Sequence, residues 1–387
     1  MYQSIYHPDN LNKAFTKVKR NRGGCGIDRV SLKQYEDNLT RNTKELVRLL
    51  EQERHKPLPV RQVLIPKANG KLRPLGIPTI RDRLVQQAIL EVIQPLFEPM
   101  FSSSSYGFRP GRSAILAINK VQNYLDEGYQ YIVEADIKDF FGQLDKSRLM
   151  SKVHEQMKDT RIHKLLWKIL RAGVMIEGRI KNTIAGTPQG GVISPLLANI
   201  YLNDFDHKLE RAGYKLVRYA DDFVILAKTV NEATSAMKMI KNLIKSMKLE
   251  LAEEKTKITT YIQGFNFLGY HFKQNDYGRY KWPTEKAQKA FKDKIRKGTR
   301  RQQPKNVAMV IQDINPIIRG WGNYFRHGNV KGKYEDLDGW IRMRLRSFIE
   351  KKKQVPNWKY PNTCFEKLGL VNLTALLKYQ TKLSLPI

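Results

Sequence analysis

Three aspartates stand where apolar strand patterns end: Asp136 in YIVEADIKDFF, and the neighbours Asp221 and Asp222 in RYADDFVIL. Taking a carboxylate out of water is costly unless a cation compensates it. A divalent ion is the natural compensator, and Mg²⁺ prefers hard oxygen ligands, typically one or two carboxylates completed by substrate phosphates. Two strands converging with these residues suit a pair of such ions, one activating a hydroxyl and the other stabilising a departing pyrophosphate. An Asp-Asp pair is also a common turn or helix-cap element. What favours chemistry is the setting, with apolar strands on both sides and the small Ala220 leaving room for close approach.

The rest of the charge indicates what would come to those carboxylates. The 387 residues carry 69 Lys and Arg against 37 Asp and Glu, a net charge of +32, so the expected partner is a polyanion. The bases are spread along the whole chain rather than gathered in one amphipathic helix, which favours nucleic acid over a membrane surface. With 41% hydrophobic residues the chain can fold two or three domains, and collagenous, disordered and disulfide-stapled classes are excluded. Two cysteines, Cys25 and Cys364, cannot form a cysteine-cluster zinc site. No apolar run is long enough to cross a bilayer and the N-terminus lacks a secretory pattern, so an unprocessed, soluble protein of a reducing cytoplasm is expected.

Several elements must position the carboxylates. Residues 1–60 read as mostly helical, with a glycine-rich turn from Gly23 to Gly26. Residues 60–80 alternate as a hairpin turning at Asn69-Gly70, its tip carrying Lys67, Lys71 and Arg73. Helical spacing runs from Asp82 to Pro99 and returns at Val121 to Leu125; a strand follows at 131–137. Residues 146–180 read as helical. Ser194-Pro195 opens a further helix, and 215–227 is a pair of strands around Ala220-Asp221-Asp222. In 232–249, Ala233, Met237, Ile240, Ile244 and Met247 form one apolar helical face. Strands KITTYI and FNFLGYHF follow. Near Trp282 the composition shifts: residues 286–305 hold nine Lys or Arg and one acid, Asp293, on a helical pattern.

Tyr219-Ala220-Asp221-Asp222, with Asp136 upstream and TPQGGVISPLLANIYL between, resembles the palm of a reverse transcriptase. The wider set is similar to bacterial group II intron reverse transcriptases, also called maturases. It includes LIPKANGKLRPLGIPTIRDRLVQQAI, YGFRPGRSA at 106–114, LAEEKTKI at 251–258, FNFLGYHF at 265–272 and INPIIRGWGNYFRHG at 314–328. The likeness covers nearly the whole chain, and ordered matches of this kind are far more specific than any one of them.

The resemblance implies an α+β, right-hand polymerase fold, with fingers and palm over 1–282, an N-terminal extension of about 1–60, and a mainly helical thumb, domain X, over 283–387. Asp136 and Asp221 would bind two Mg²⁺ ions, with Mn²⁺ as a substitute, assisted by Asp222 and the Ile137 carbonyl. Phe141 matches the steric gate against a 2′-hydroxyl. Lys67 and Arg73 match triphosphate-clamping residues, and Gln189 a residue near the nucleotide sugar, with glycines after it that would admit the template-primer. Lys255 reads either as a general acid for pyrophosphate or as a solvated lysine. Arg109 and Arg112 read as template contacts in a phosphate-cradling loop, or as part of a turn packed by Tyr106 and Phe108. Trp321, Tyr324 and Phe325, at i, i+3 and i+4, are first a core stripe, which leaves Arg319 and Arg326 as RNA contacts.

The implied activity is RNA-directed DNA polymerisation by a group II intron protein. Its partners would be intron RNA, an RNA template with a DNA or RNA primer, target DNA and dNTPs, with no membrane. The setting would be a bacterial cytoplasm, in association with the nucleoid. A homing endonuclease of the HNH type is expected to be absent, since no HxxxH or CxxC pattern occurs. Two other readings share the motifs: a free-standing reverse transcriptase of host defence or repair, and a splicing cofactor that only binds RNA. The resemblance to domain X opposes the first and the three carboxylates oppose the second. Departures from the family pattern are Arg29, Ile115 and Ala252. Residues 345–387 read as a small DNA-binding segment or as the last thumb helices.

Overall fold

The strand patterns become three sheets among the residues described by a computed structural model, which are 1–66, 72–176, 179–181, 190–351 and 355–377. The chain divides into two compact units, Met1–Thr259 and Thr260–Ile387. Helices and largely antiparallel sheets alternate, which is the α+β class expected.

In the first unit, strands β1 (Val60–Pro66) and β2 (Leu72–Ile77) pair antiparallel with Ile65 opposite Arg73, as the hairpin pattern required. The tip of that hairpin, with Lys67 and Lys71, lies outside the described residues. The helix Ile80–Phe97 follows, capped by Thr79, whose hydroxyl accepts the Asp82 N–H at 3.1 Å. It is buried on nearly every side over Leu84 to Ile89 and forms the axis on which the N-terminal helices Tyr2–Tyr6 and Pro8–Asn21 pack. Arg61 donates to the Cys25 carbonyl and Arg83 to that of Gly24, fastening the glycine-rich turn to this centre.

The second sheet has the order β6-β7-β3-β8, from β3 (Tyr131–Asp136), β6 (Lys215–Tyr219), β7 (Asp222–Ala227) and β8 (Lys257–Thr260). Helices Ser194–Arg211 and Val230–Ser246 cover it, the latter burying Ala233, Ala236, Ile240 and Ile244, so the apolar face expected from spacing is the face used. One segment differs from expectation. Residues 146–180 were expected to be helical throughout, but after helices Lys146–Gln156 and Thr160–Leu170 the chain turns at Gly173 (φ +78°) into strands β4 (Val174–Ile176) and β5 (Arg179–Lys181). β4 pairs parallel with β1, an edge that local periodicity does not register.

In the second unit, β9 (Phe265–Phe267), β10 (Tyr270–Asn275) and β11 (Gly278–Pro283) form an antiparallel sheet. Its Tyr270 hydroxyl donates to the Tyr324 carbonyl at 2.5 Å, and the Tyr324 hydroxyl to the Leu268 carbonyl at 2.7 Å. These contacts tie the sheet to helix Val307–Phe325. The unit therefore begins upstream of the composition change near 282. The described part of 345–387 folds back on helices Val307–Phe325 and Lys331–Ile349: Asp338 accepts from the Leu373 and Thr374 N–H groups, and Phe365 and Leu373 are buried. No described helix is long and apolar enough to cross a membrane.

Candidate active site

The β6–β7 hairpin pairs Tyr219 with Asp222, leaving Ala220 and Asp221 as its two connecting residues. Ala220 has φ +59°, the left-handed conformation that tight hairpin turns demand. On the other side of β7, Asp222 lies directly opposite Asp136, so both side chains emerge on one face of the sheet. Three carboxylates thus meet at one end of the sheet, although 85 residues of chain separate Asp136 from Asp221 (221 − 136).

The electrostatics show crowding. Burial pushes the Asp221 carboxyl above its usual range and Asp136 adds to the rise, against its own backbone N–H, Arg73 and Lys255. Asp222 is pushed up to about 7 by burial, then by Asp136 and Asp221. Lys255 ends the short turn Glu253–Lys255 and donates to Asp136, and this hydrogen bond raises its own pKa and keeps it protonated. The same segment is stitched to the end of β3: Ala252 N–H donates to the Asp136 carbonyl at 2.8 Å, Lys138 N–H to that of Glu250 at 2.9 Å, and Ile137 bridges Leu251.

With Asp221 and Asp222 held above the normal carboxylate range, the site is short of positive charge, and its hard oxygen donors fit a divalent ion. Among the described residues no group of three or more His, Cys, Asp or Glu side chains is arranged to hold a metal ion.

The other expected residues fall in different places. Phe141 is half-buried, edge-on to Phe140 at 5.2 Å, in the short helix Phe140–Gln143 that follows β3. Arg73, on the second finger strand, is near enough for Asp221 to feel its charge. Lys67 and Gln189 lie outside the described residues. The glycines after Gln189 are held by the protein's own packing. A Cβ on Gly190 (φ +119°) would sit 2.4 Å from the Gly76 carbonyl oxygen, and one on Gly191 2.7 Å from the Ser194 hydroxyl, so glycine is required at both by contacts within the protein.

Arg109 departs from the template-contact reading. It is buried, donating to the Glu98 carboxylate at 2.8 Å and to the carbonyls of Ser102, Ser105 and Glu98, with its guanidinium over the Phe101 ring. Four of its five donors are taken inside the protein, so the structure gives it the turn-packing role and not that of a template contact. Arg112 stays half-buried over the Tyr106 ring and donates to the Ser103 carbonyl. In the second unit Phe325 is buried and Trp321 and Tyr324 are half-buried against it: Trp321 stacks on Phe291 at 4.7 Å and Phe325 meets Tyr270 at 4.9 Å. Arg319 is exposed and Arg326 half-buried.

Sequence reasoning missed the residue that braces the turn. Arg218 is fully buried and paired with fully buried Asp206 at 2.5 Å, and it also donates to Asn199 Oδ1, Ser105 Oγ and the Ala220 carbonyl (2.8 Å). Asn199 in turn donates to the Gly107 carbonyl at 2.9 Å. A Cβ on Gly107 would lie 2.3 Å from the Ala220 nitrogen, so the YGFRPG loop is pressed against the turn and only glycine fits. The signal was there: an arginine at an inward position of the apolar strand KLVRY requires a buried partner. Beside Gly107, Phe108 has φ +56°, a region costing a bulky residue on the order of 1–3 kcal/mol.

The chain matches a family described as "Reverse transcriptase (RNA-dependent DNA polymerase)" over residues 65–272 and one described as "Group II intron, maturase-specific domain" over residues 288–363. It is 37% identical over 278 residues to Protein YkfC of Escherichia coli (strain K12), spanning 60% of this chain and 73% of that protein. It is 31% identical over 339 residues to the Group II intron-encoded protein LtrA of Lactococcus lactis subsp. cremoris, spanning 70% of this chain and 56% of that protein. Among solved structures, a chain of the partial Cas6-RT-Cas1–Cas2 complex is similar with a TM-score of 0.40 and 26% identity, over 65% of this chain and 42% of that one.

Proposed function

Because this chain belongs to the reverse transcriptase (RNA-dependent DNA polymerase) family and carries the maturase-specific domain of group II introns, we propose that it copies RNA into DNA and assists the splicing of a group II intron RNA. In this reading it extends a DNA or RNA primer on an RNA template with deoxynucleoside triphosphates, and it copies the intron at a DNA target. The observation that carries the reading is the opposition of Asp136 and Asp222 across β3 and β7, with Asp221 at the adjoining turn, in a chain of net charge +32.

Asp136 and Asp221, assisted by Asp222 and the Ile137 carbonyl, would hold two Mg²⁺ ions, for which Mn²⁺ substitutes. Bound there, the ions supply electrostatic stabilisation of the phosphoryl oxygens. The protein's part is positioning. The Arg218 network fixes the backbone of Ala220, and with it the direction of Asp221. By the family resemblance, Arg73 and Lys67 are assigned to drawing the triphosphate by charge, Phe141 to excluding a 2′-hydroxyl and Gln189 to the nucleotide sugar. Lys255, already protonated beside Asp136, is the candidate proton donor to the leaving pyrophosphate. Arg112, Arg319 and Arg326 serve the nucleic-acid backbone. We place the protein in the bacterial cytoplasm, in keeping with free Cys25 and Cys364.

Primer extension on an RNA template with Mg²⁺ and dNTPs tests the activity. Asp221→Asn should reduce extension to background while intron RNA affinity is retained. Equal extension by the variant would sink the carboxylate assignment. Binding of group II intron RNA no tighter than of an unrelated folded RNA of equal length would sink the splicing role.

A further inference from the structure

The loop pressed against the catalytic turn holds one side chain that the interior does not use. Phe108 is 58% exposed, although both of its neighbours are locked. Gly107 is wedged against Ala220 and its carbonyl accepts from Asn199, while Arg109 is anchored by Glu98, Ser102 and Ser105. Tyr106 N–H donates to the Arg218 carbonyl at 2.8 Å, which adds the loop to the edge of the hairpin. The backbone that carries Phe108 is therefore fixed, and it sits at φ +56°. If the backbone alone mattered, glycine would meet this φ without strain. If the ring served the core, it would be buried. It is neither, and its ring lies 6.0 Å from that of Tyr219, tilted by 41°. Tyr219 is the residue paired with Asp222.

We propose that Phe108 is the apolar platform on which the 3′-terminal nucleotide of the growing strand rests, presenting its 3′-hydroxyl to the carboxylates. This rests on the polymerase reading above. The strand identity follows from placement. The hydroxyl that attacks must reach Asp136 and Asp221, so the sugar and base carrying it lie over the residues next to Asp221 on the turn, where the Phe108 and Tyr219 rings form one surface. Aromatic rings accept any base or sugar face, which suits a strand whose sequence varies. A rigid platform loses little entropy on binding, which gives the strained backbone a use.

The test uses the full chain without dNTPs, measuring affinity for a fluorescent primer–template by anisotropy. Phe108→Gly should melt no lower than wild type, since glycine relieves the strain, yet bind the recessed primer–template about 10-fold more weakly. Phe108→Tyr should restore affinity. An abasic nucleotide at the primer 3′ end should weaken the wild type by a similar factor and leave Phe108→Gly unaffected. Unchanged affinity in Phe108→Gly overturns the proposal. So does coupling to an abasic template position in place of the primer end, which would assign the ring to the other strand. A wild type that binds the duplex and extends nothing would refute the polymerase activity, while the coupling would still decide the contact.

Discussion

Burial and two neighbouring carboxylates push Asp222 up to about 7, so near neutral pH a proton and a cation compete for the same oxygens. The sign of the resulting pH dependence follows from linkage. An acid whose folded pKa is raised contributes stability that is fully present below its ordinary value of about 4 and is lost as pH rises through the folded value. In EDTA, wild-type protein should therefore lose melting temperature between pH 5 and 8 by roughly 3–6 °C more than Asp222→Asn. Mg²⁺ at pH 8 should restore the wild type and leave the variant unmoved. Parallel pH curves for the two proteins would show that the carboxyl titrates normally. The three aspartates were legible because acids at the ends of apolar strands stand out by type alone. Arg109 was misread because an arginine in a Gly- and Pro-rich loop looks solvated, and only packing against Glu98, Ser102 and Ser105 consumed its donors.

At the scale of elements, the site is a hairpin held from beneath by a loop more than 100 residues upstream in the chain. Gly107 is the contact point, with no room for a Cβ against the Ala220 nitrogen. Gly107→Ala should leave the protein folded but displace the turn, lowering extension by about 100-fold, the cost expected of a misplacement near 1 Å. Gly111→Ala is the control, since Gly111 also has positive φ (+68°) but faces open space. Equal losses from both substitutions would mean that loop strain, and not the contact with Ala220, governs the rate. The hairpins and the amphipathic helix Val230–Ser246 were readable from periods of two and 3.6 residues. Strands β4 and β5 were not, because three-residue strands have too little period to register and owe their conformation to the edge of β1.

Across the whole molecule, the charge of +32 divides between a few bases near the carboxylates and many more on helices such as Glu285–Gly298. There Lys286, Lys289, Lys294 and Lys297 are exposed, while Lys292 and Arg296 lie over the Trp340 ring. Replacing the four exposed lysines by Gln should reduce the slope of log affinity against log salt for RNA by roughly 3, on the basis of 0.7–0.9 per phosphate contact. An unchanged slope would place the RNA elsewhere on the surface.

The candidate catalytic aspartates, the α+β class, the polyanionic partner and the ordered family motifs could all be read from the chain alone. Each depends on residue type or on spacing over a few residues, and such local signals survive without coordinates. Tertiary structure decided which of the many cations face outward, that Gly107 must be glycine, that Arg218 braces Ala220 through Asp206 and Asn199, and that β9 to β11 belong with the helices that follow. These depend on contacts between segments 12 to more than 100 residues apart, where burial turns an ordinary arginine or glycine into a requirement that no local pattern announces.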